Sequence, residues 1–335
     1  MRTGSGEADG PPAAGQQAGP AVSSPPACPP LVAWHGDLTA WLDRLGWLRT
    51  ASDWLTGVLE PARERYQDNL ALELLHGGRW AGHPLHPALS DLPIGMWAGV
   101  LVLDATDRDP APRRGIDAAG VLSAAGILAA GAAALTGLTD WTVSDEQDRR
   151  IGLCHGLLNT AALGLQSASL GTRMAGHRGT ARALSAAGFT VTAAAGYLGG
   201  HLVFSRGVMV SRVAWAVGPR RWARALQEAD LPDDSPTAVE AEGRHILLYR
   251  HQGRLYAIDN VCSHAGGLLS RGPVDDLTVT CPLHGSRFEL ASGCVTRGPA
   301  SQPQPVLPTR IRNGWIEVRG SLPAPRRPAS GRTQP

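Results

Sequence analysis

The hydrophobic rhythm of the chain changes three times. In residues 31–80 large apolar residues recur at three- and four-residue steps, as in Leu38, Trp41, Leu42, Leu45 and Leu48, then Trp54, Leu55, Val58 and Leu59. That period predicts amphipathic helices. They could pack on a neighbouring domain, or lie on a membrane interface, where Trp34, Trp41, Trp47 and Trp54 would suit. Residues 81–205 hold four weakly hydrophobic stretches, 87–104, 118–138, 151–170 and 183–204. At 1.5 Å per residue each spans about 27–33 Å, enough to cross a bilayer core. The second and fourth carry no charge and are rich in Ala and Gly, which favours close packing in lipid. A soluble bundle, the alternative, would give every helix a polar face. From residue 237 the period falls to two, predicting short strands: a hairpin of 245–250 and 254–259, then 277–280, 286–290, 310–312 and 315–318. The expected fold is thus multidomain, an N-terminal all-α four-helix transmembrane domain followed by a C-terminal all-β antiparallel sandwich over 237–321. Residues 206–236 read as a linker whose Trp215 and Trp222 suit a membrane interface, and 1–30 and 322–335 as disordered.

Composition adds limits. Net charge is +2, so no nucleic-acid footprint shows, and every one of the 31 basic residues is arginine. The N-terminus has no charged segment leading into an apolar run, so a secretory signal is not expected, and no twin-arginine leader is visible. With four spans, both termini share a side with the central connector. Arg79, Arg149, Arg150, Arg206, Arg212, Arg220, Arg221 and Arg224 fall there, against Arg108, Arg113, Arg114, Arg173, Arg178 and Arg182 opposite. The excess of arginine places the termini in the cytoplasm of a multi-pass cell-membrane protein.

Of five cysteines, Cys28, Cys154 and Cys294 show no framework spacing and read as free thiols. The other two stand in Cys262-x-His264 and Cys281-x-x-His284. Two thiolates and two imidazoles in paired loops suit an iron–sulfur centre with one iron on sulfur and the other on nitrogen. A Cys2His2 zinc site is the competing reading, although each Cys pairs here with a His rather than with a second Cys. Gly266, Gly267 and Gly285 permit tight loop backbones.

These residues, with Pro282 and the Gly-Ser-x-Phe that follows His284, closely resemble the Rieske [2Fe–2S] family. The resemblance implies that Cys262 and Cys281 hold one iron and His264 and His284 the other. It implies that the two imidazoles stand at an exposed tip where a partner docks, and that Gly298-Pro299-Ala300 covers the cluster. High-potential members brace the loops with a disulfide, where this chain has Gly267 and Leu283. They also place a tyrosine hydroxyl where this chain has Phe288, while Ser286 is retained as a hydroxyl donor. Fewer hydrogen bonds to sulfur imply a potential near the lower end of the range of roughly −150 to +300 mV. The pattern looks like the ferredoxins that feed bacterial oxygenases.

Ahead of this, Gly82-His83-Pro84-Leu85-His86-Pro87 opens a segment that resembles an uncharacterised family of bacterial four-helix membrane domains, known fused to Rieske modules. Alternating helices bring His83, His86, Asp140, Trp141, His155 and His201 to one membrane face. Candidate roles for the histidines are haem b ligation, another metal, or a quinone head-group site. The bland alternative is hydrogen bonding across helix ends. The expected function is a membrane-anchored one-electron carrier without substrate chemistry of its own, serving a reductase, an oxygenase or the quinone pool. The alternatives are the ferredoxin component of an oxygenase system and an iron–sulfur redox sensor. No 2-His-1-carboxylate pattern follows the Cys/His segment, so an oxygenase iron site is not expected.

Overall fold

The computed structural model describes residues 38–65, 70–107, 116–216 and 218–320. The segments expected to be disordered, with Cys28, Trp34 and Arg108, Arg113 and Arg114, lie outside them. The chain divides into two units, Met1–Trp41 and Leu42–Pro335. Residues 38–41 of the first are helical; all that follows concerns the second.

Helix α1, Gly46–Arg65, is amphipathic. It buries Leu48 and Ser52 and leaves Trp47, Trp54 and Val58 exposed. Short helices α2 (Leu70–His76) and α3 (Gly78–Ala81) lead into four long ones: α4 (Leu85–Thr106), α5 (Ala118–Thr142), α6 (Glu146–Met174) and α7 (Arg178–Phe204). Asp117 caps α5 by accepting the Gly120 N–H at 2.8 Å. α4 packs chiefly on α5 and α6 on α7, and the two hairpins meet through α5–α6 and α4–α7.

Only α4 and α5 are, by length and composition, apolar enough to cross a membrane among the described helices. α6 and α7 are long enough but more polar, and the reason is where their polar residues sit. Gln166, Ser169, Ser185, Thr192 and Arg173 are buried inside the bundle, as are Ser123 and Thr136 of α5. The large apolar groups Val102, Val121, Leu128, Leu135 and Leu157 face outward. Trp97, Val100, Ile151 and Leu198 are buried among the polar groups, so the interior mixes both kinds while the outer face is apolar at these positions.

The hairpins repeat one another, which the sequence reading missed. His86, Trp97 and Asp104 of α4 stand at the same relative positions as His155, Gln166 and Arg173 of α6. Gly126 and Gly137 of α5 match Gly188 and Gly199 of α7. Each glycine makes room for the matching side chain: Trp97 lies against Gly126, Gln166 against Gly188, His86 against Gly137 and His155 against Gly199. At one end the equivalent Asp104 and Arg173 form a buried bidentate pair, at 2.8 and 2.7 Å.

The β domain has three antiparallel sheets: β1 (Ala223–Gln227), β10 (Trp315–Val318) and β9 (Thr309–Arg312); β2 (Thr237–Ala241), β3 (Arg244–His251) and β4 (Arg254–Asp259); and β5 (Val274–Asp275), β6 (Thr278–Thr280), β7 (Arg287–Glu289) and β8 (Val295–Arg297), each in that spatial order. β3 (Arg244–His251) and β4 (Arg254–Asp259) form the expected hairpin, turning at Gln252-Gly253. Both turn residues have positive φ, at 49° and 74°, as a two-residue turn of this twist requires. β3 does not alternate, because it is buried on both faces. Ile246 and Leu248 join a core with Leu231, Ala257, Ile316 and Val318. Leu247 and Tyr249 join another with Ile258, Val279, Phe288 and Leu290. The stretch 206–236, expected as a linker, contributes β1 (Ala223–Gln227), which pairs with β10 (Trp315–Val318). Its Ala-Arg-Ala-Leu-Gln sequence is too weakly apolar to announce a strand; pairing supplies what propensity lacks.

A few hydrogen bonds join the helices to the β domain. His76, buried at the end of α2, has Nδ1 2.7 Å from Asp140 Oδ1 of α5 and Nε2 2.6 Å from the Pro299 carbonyl. Both neighbours are acceptors, so both nitrogens donate and the ring is an imidazolium. Gln302 Nε2 donates to the Gly82 carbonyl, and the Arg212 N–H donates to the Ser263 carbonyl at 2.9 Å.

Two expectations follow. Asp104→Ala leaves the buried Arg173 charge with only the longer 3.8 Å contact to Asp117 and lowers the unfolding free energy of the detergent-solubilised protein by about 3 kcal/mol, whereas an unchanged denaturation midpoint contradicts the role of the pair. Burial pulls the His76 pKa down, but the Asp140 carboxylate and the Pro299 carbonyl outweigh it and the net shift is upward. The other charged groups around it are Glu73 and Arg79, paired at 2.5 Å, and Arg297 and His284 across the cleft. The joint is therefore fully held below the ordinary imidazole pKa and is lost as pH rises through the raised one. Hydrogen exchange in the 298–304 loop, corrected for intrinsic rate, should accelerate over that rise and show no such step in His76→Phe.

Candidate metal centre

Two loops of the β domain have the same construction. In the first, the Cys262 N–H donates to Gly267 O at 2.8 Å and the Gly266 N–H to Cys262 O at 3.0 Å. In the second, the Cys281 N–H donates to Ser286 O at 2.8 Å and the Gly285 N–H to Cys281 O at 3.0 Å. Gly266 and Gly285 stand at φ 82° and 75°, which closes each loop where a side chain would strain it. The backbone N–H groups of His264 and Ala265 are directed at the Cys262 sulfur, and those of Leu283 and His284 at the Cys281 sulfur.

The loops place both cysteines in the interior, 1% and 3% exposed. The Cys262 thiol donates to the Cys281 thiolate, which holds Cys281 down at about 6 and pushes Cys262 up. His264 and His284 stack edge to face with ring centroids 5.0 Å apart. Burial, then the charges of His284, His76 and Arg212, bring His264 down to about 3, so it presents a neutral imidazole. Thiolate and neutral imidazole are the forms that bind metal. Among the described residues, no group of three or more His, Cys, Asp or Glu side chains is placed to hold a single ion. The four form two pairs, sulfur with sulfur and nitrogen with nitrogen. That division fits a two-iron group and does not fit a mononuclear zinc.

The surroundings hold the loops in place. Asp259, ion-paired with buried Arg244 at 2.5 Å, accepts the Val261 N–H at 2.7 Å, and Asn260 Oδ1 accepts the Ser270 N–H at 2.8 Å. Gly267 lies against Leu283 and the Cys281 sulfur, where a Cβ would come within 2.9 Å. No disulfide bridges the loops here; Cys262 and Cys281 are free, as are Cys154 and Cys294. Ser286 Oγ accepts the Ala300 N–H at 3.0 Å, tying the Gly298-Pro299-Ala300 loop to the second ligand loop. Phe288 is fully buried in the core.

The sequence reading expects an exposed imidazole tip, but His284 instead faces the helical part across a cleft. His284 and Pro299 line a cleft with Leu72, Glu73, His76 and Thr142 of the helical part. His284 Nε2 lies 3.9 Å from Asp145 Oδ1 in the α5–α6 turn. His76, the residue that closes this joint, was missed because a single histidine at a helix end carries no motif.

The four histidines expected at one membrane face, His83, His86, His155 and His201, separate. His83 is exposed, with Nδ1 on the Pro84 carbonyl at 2.9 Å. His201 receives Arg206 Nε at 3.4 Å, and Arg206 also pairs with Asp43. His86 and His155 come together inside the bundle, ring centroids 6.1 Å apart. Trp141 is held elsewhere, donating Nε1–H to Arg149 O at 2.8 Å.

Residues 221–309 match the family described as Rieske [2Fe-2S] domain, and residues 82–212 the family described as Predicted membrane protein (DUF2231). The ferredoxin component of a naphthalene 1,2-dioxygenase system from Pseudomonas putida is 31% identical over 93 residues, 28% of this chain and 89% of that protein. The anthranilate 1,2-dioxygenase ferredoxin subunit of Burkholderia cepacia is 35% identical over 89 residues, 27% of this chain and 82% of its own. The solved ferredoxin of carbazole 1,9a-dioxygenase from Nocardioides aromaticivorans IC177 is 29% identical, covering 30% of this chain and 98% of its own, with a TM-score of 0.29. Through its paired Cys and His loops the chain belongs to the Rieske [2Fe–2S] family, and it carries ahead of that domain one of the predicted-membrane-protein family.

Proposed function

We propose that this protein is a membrane-anchored Rieske electron carrier in which Cys262 and Cys281 hold one iron and His264 and His284 the other. The observation that carries this reading is the pairing of two inward thiols and two edge imidazoles on matched loops. When bound, the [2Fe–2S] cluster takes up and gives back one electron. The chain's own part is to direct backbone N–H groups at the sulfurs, to exclude water from them, and to present the imidazoles at one edge. Membrane anchoring is supported by two apolar helices and by the outward-facing Val102, Leu128 and Leu135. The β domain then sits on the cytoplasmic side, the side favoured by arginine.

The relatives favour a second reading, in which the chain serves an oxygenase system as its ferredoxin and draws electrons from a soluble reductase. The covered imidazole edge favours the first, because a soluble partner meets the helical part before it meets His284. Rapid reduction by quinol in native membranes supports the membrane route; reduction by a soluble flavoprotein alone supports the oxygenase route.

Cys262→Ser and Cys281→Ser should each reduce non-haem iron from two atoms per chain to near none and abolish the visible and EPR signatures of the cluster. Undiminished iron in both would remove this reading. The midpoint potential of the wild type should fall in the lower half of the range of roughly −150 to +300 mV; a value at the top contradicts the effect ascribed to Phe288 and the absent disulfide. After cell breakage the protein should stay with the membranes until detergent is added, and recovery in the soluble fraction sinks the anchor.

A further inference from the structure

The two hairpins bring one half-buried histidine each to the line where they meet, and the two are treated alike. His86 Nδ1 lies 2.9 Å from the Ala133 carbonyl of α5, and His155 Nδ1 lies 2.8 Å from the Ala195 carbonyl of α7. A carbonyl only accepts, so each ring carries its proton on Nδ1 and keeps a lone pair on Nε2. One turn beyond each carbonyl stands a glycine. A Cβ at Gly137 would come within 2.8 Å of the His86 ring, and one at Gly199 within 3.1 Å of the His155 ring. The same four-part device, imidazole, carbonyl, glycine and opposing helix, is therefore built twice.

The rings it holds face one another across the line between the hairpins, with centroids 6.1 Å apart and planes at 87°. Two imidazoles on opposite sides of one metal, each bonded at about 2.0–2.1 Å, would place their centroids roughly 6 Å apart. No third His, Cys, Asp or Glu completes a single-ion site among the described residues. Two axial nitrogens suffice only for a metal that brings its other ligands with it. The Asn159 amide donates to His155 Nε2 at 3.0 Å and also to the His155 carbonyl at 3.1 Å, so it keeps an acceptor if a metal takes the ring nitrogen.

We propose that His86 and His155 are the axial ligands of a haem held between the two hairpins. A haem supplies four equatorial nitrogens and asks the protein for the two axial positions this bundle offers. The hydrogen bond from each Nδ1–H to a helix carbonyl orients the ligand and raises its basicity. The site lies toward the end of the bundle that carries the β domain, since His86 follows Gly82, whose carbonyl takes the hydrogen bond from Gln302.

The test is a titration of the purified full-length protein with ferric haem, read by absorption and EPR. The wild type should bind one haem per chain with the low-spin signature of two imidazole ligands. His86→Ala and His155→Ala should each lose it, giving a high-spin or unbound haem, while His83→Ala and His201→Ala keep it. In His86→Gly, added imidazole should restore the low-spin form, which separates a lost ligand from a lost fold. Cys262→Ser should bind haem as the wild type does, so this site and the cluster are judged separately. A wild type that takes up no haem, or a His86→Ala or His155→Ala variant that remains low-spin without added imidazole, overturns the assignment.

Discussion

The β domain is organised by one requirement, that two sulfurs meet in a dry interior while two imidazoles stay at its edge. A buried thiolate is costly unless hydrogen bonds compensate for lost water. The backbone of residues 264–265 and 283–284 supplies them, and it can do so only because Gly266 and Gly285 turn the chain through positive φ. Behind these turns the support is polar: Arg244 pairs with Asp259, Asp259 with the Val261 N–H, Asn260 with the Ser270 N–H, and Ser286 with the Ala300 N–H.

The helical part is held by different contacts. Buried polar groups such as Gln166, Ser169 and Ser185 lie among buried Trp97, Val100, Ile151 and Leu198, while Val102, Leu128 and Leu135 face outward, and glycine marks the points where a bulky side chain crosses to the next helix. Close approach at glycine and buried polar contacts help hold the helices together, a kind of packing that also serves in lipid. Gln166 donating to the Ser185 carbonyl at 3.2 Å, and Ser169 to the Ala181 carbonyl at 2.7 Å, are contacts of this kind. The joint to the β domain is polar as well. His76 reaches from Asp140 to the proline loop, so the covering of the cluster edge and the geometry of the bundle end are set by the same residue.

What could be read from the sequence follows from how local each signal is. Cys262-x-His264 and Cys281-x-x-His284 were legible because each ligand pair lies within one turn of chain, and the hairpin at Gln252-Gly253 because its turn chemistry is local. β1 was not, since five residues of weak propensity become a strand only through their partner β10. The exposed tip was misjudged because it depends on where a second domain packs. The hairpin repeat was hidden by its own substitutions: Trp97 stands where Gln166 does, and Asp104 where Arg173 does. Opposite charges at equivalent positions look unrelated in sequence, yet in the folded bundle they are each other's partners. The polar interior of α6 likewise lowered its hydropathy, although its outer surface presents Leu157.

The central claim is that two histidine nitrogens and two cysteine sulfurs divide a pair of irons between them. Pulsed EPR of the reduced protein, grown with nitrogen-15 histidine, measures this directly. The account predicts two strongly coupled histidine nitrogens on one paramagnetic centre, with one coupling lost in each of the single replacements of His264 and His284. A reduced centre without histidine coupling, or with couplings indifferent to both replacements, would contradict it.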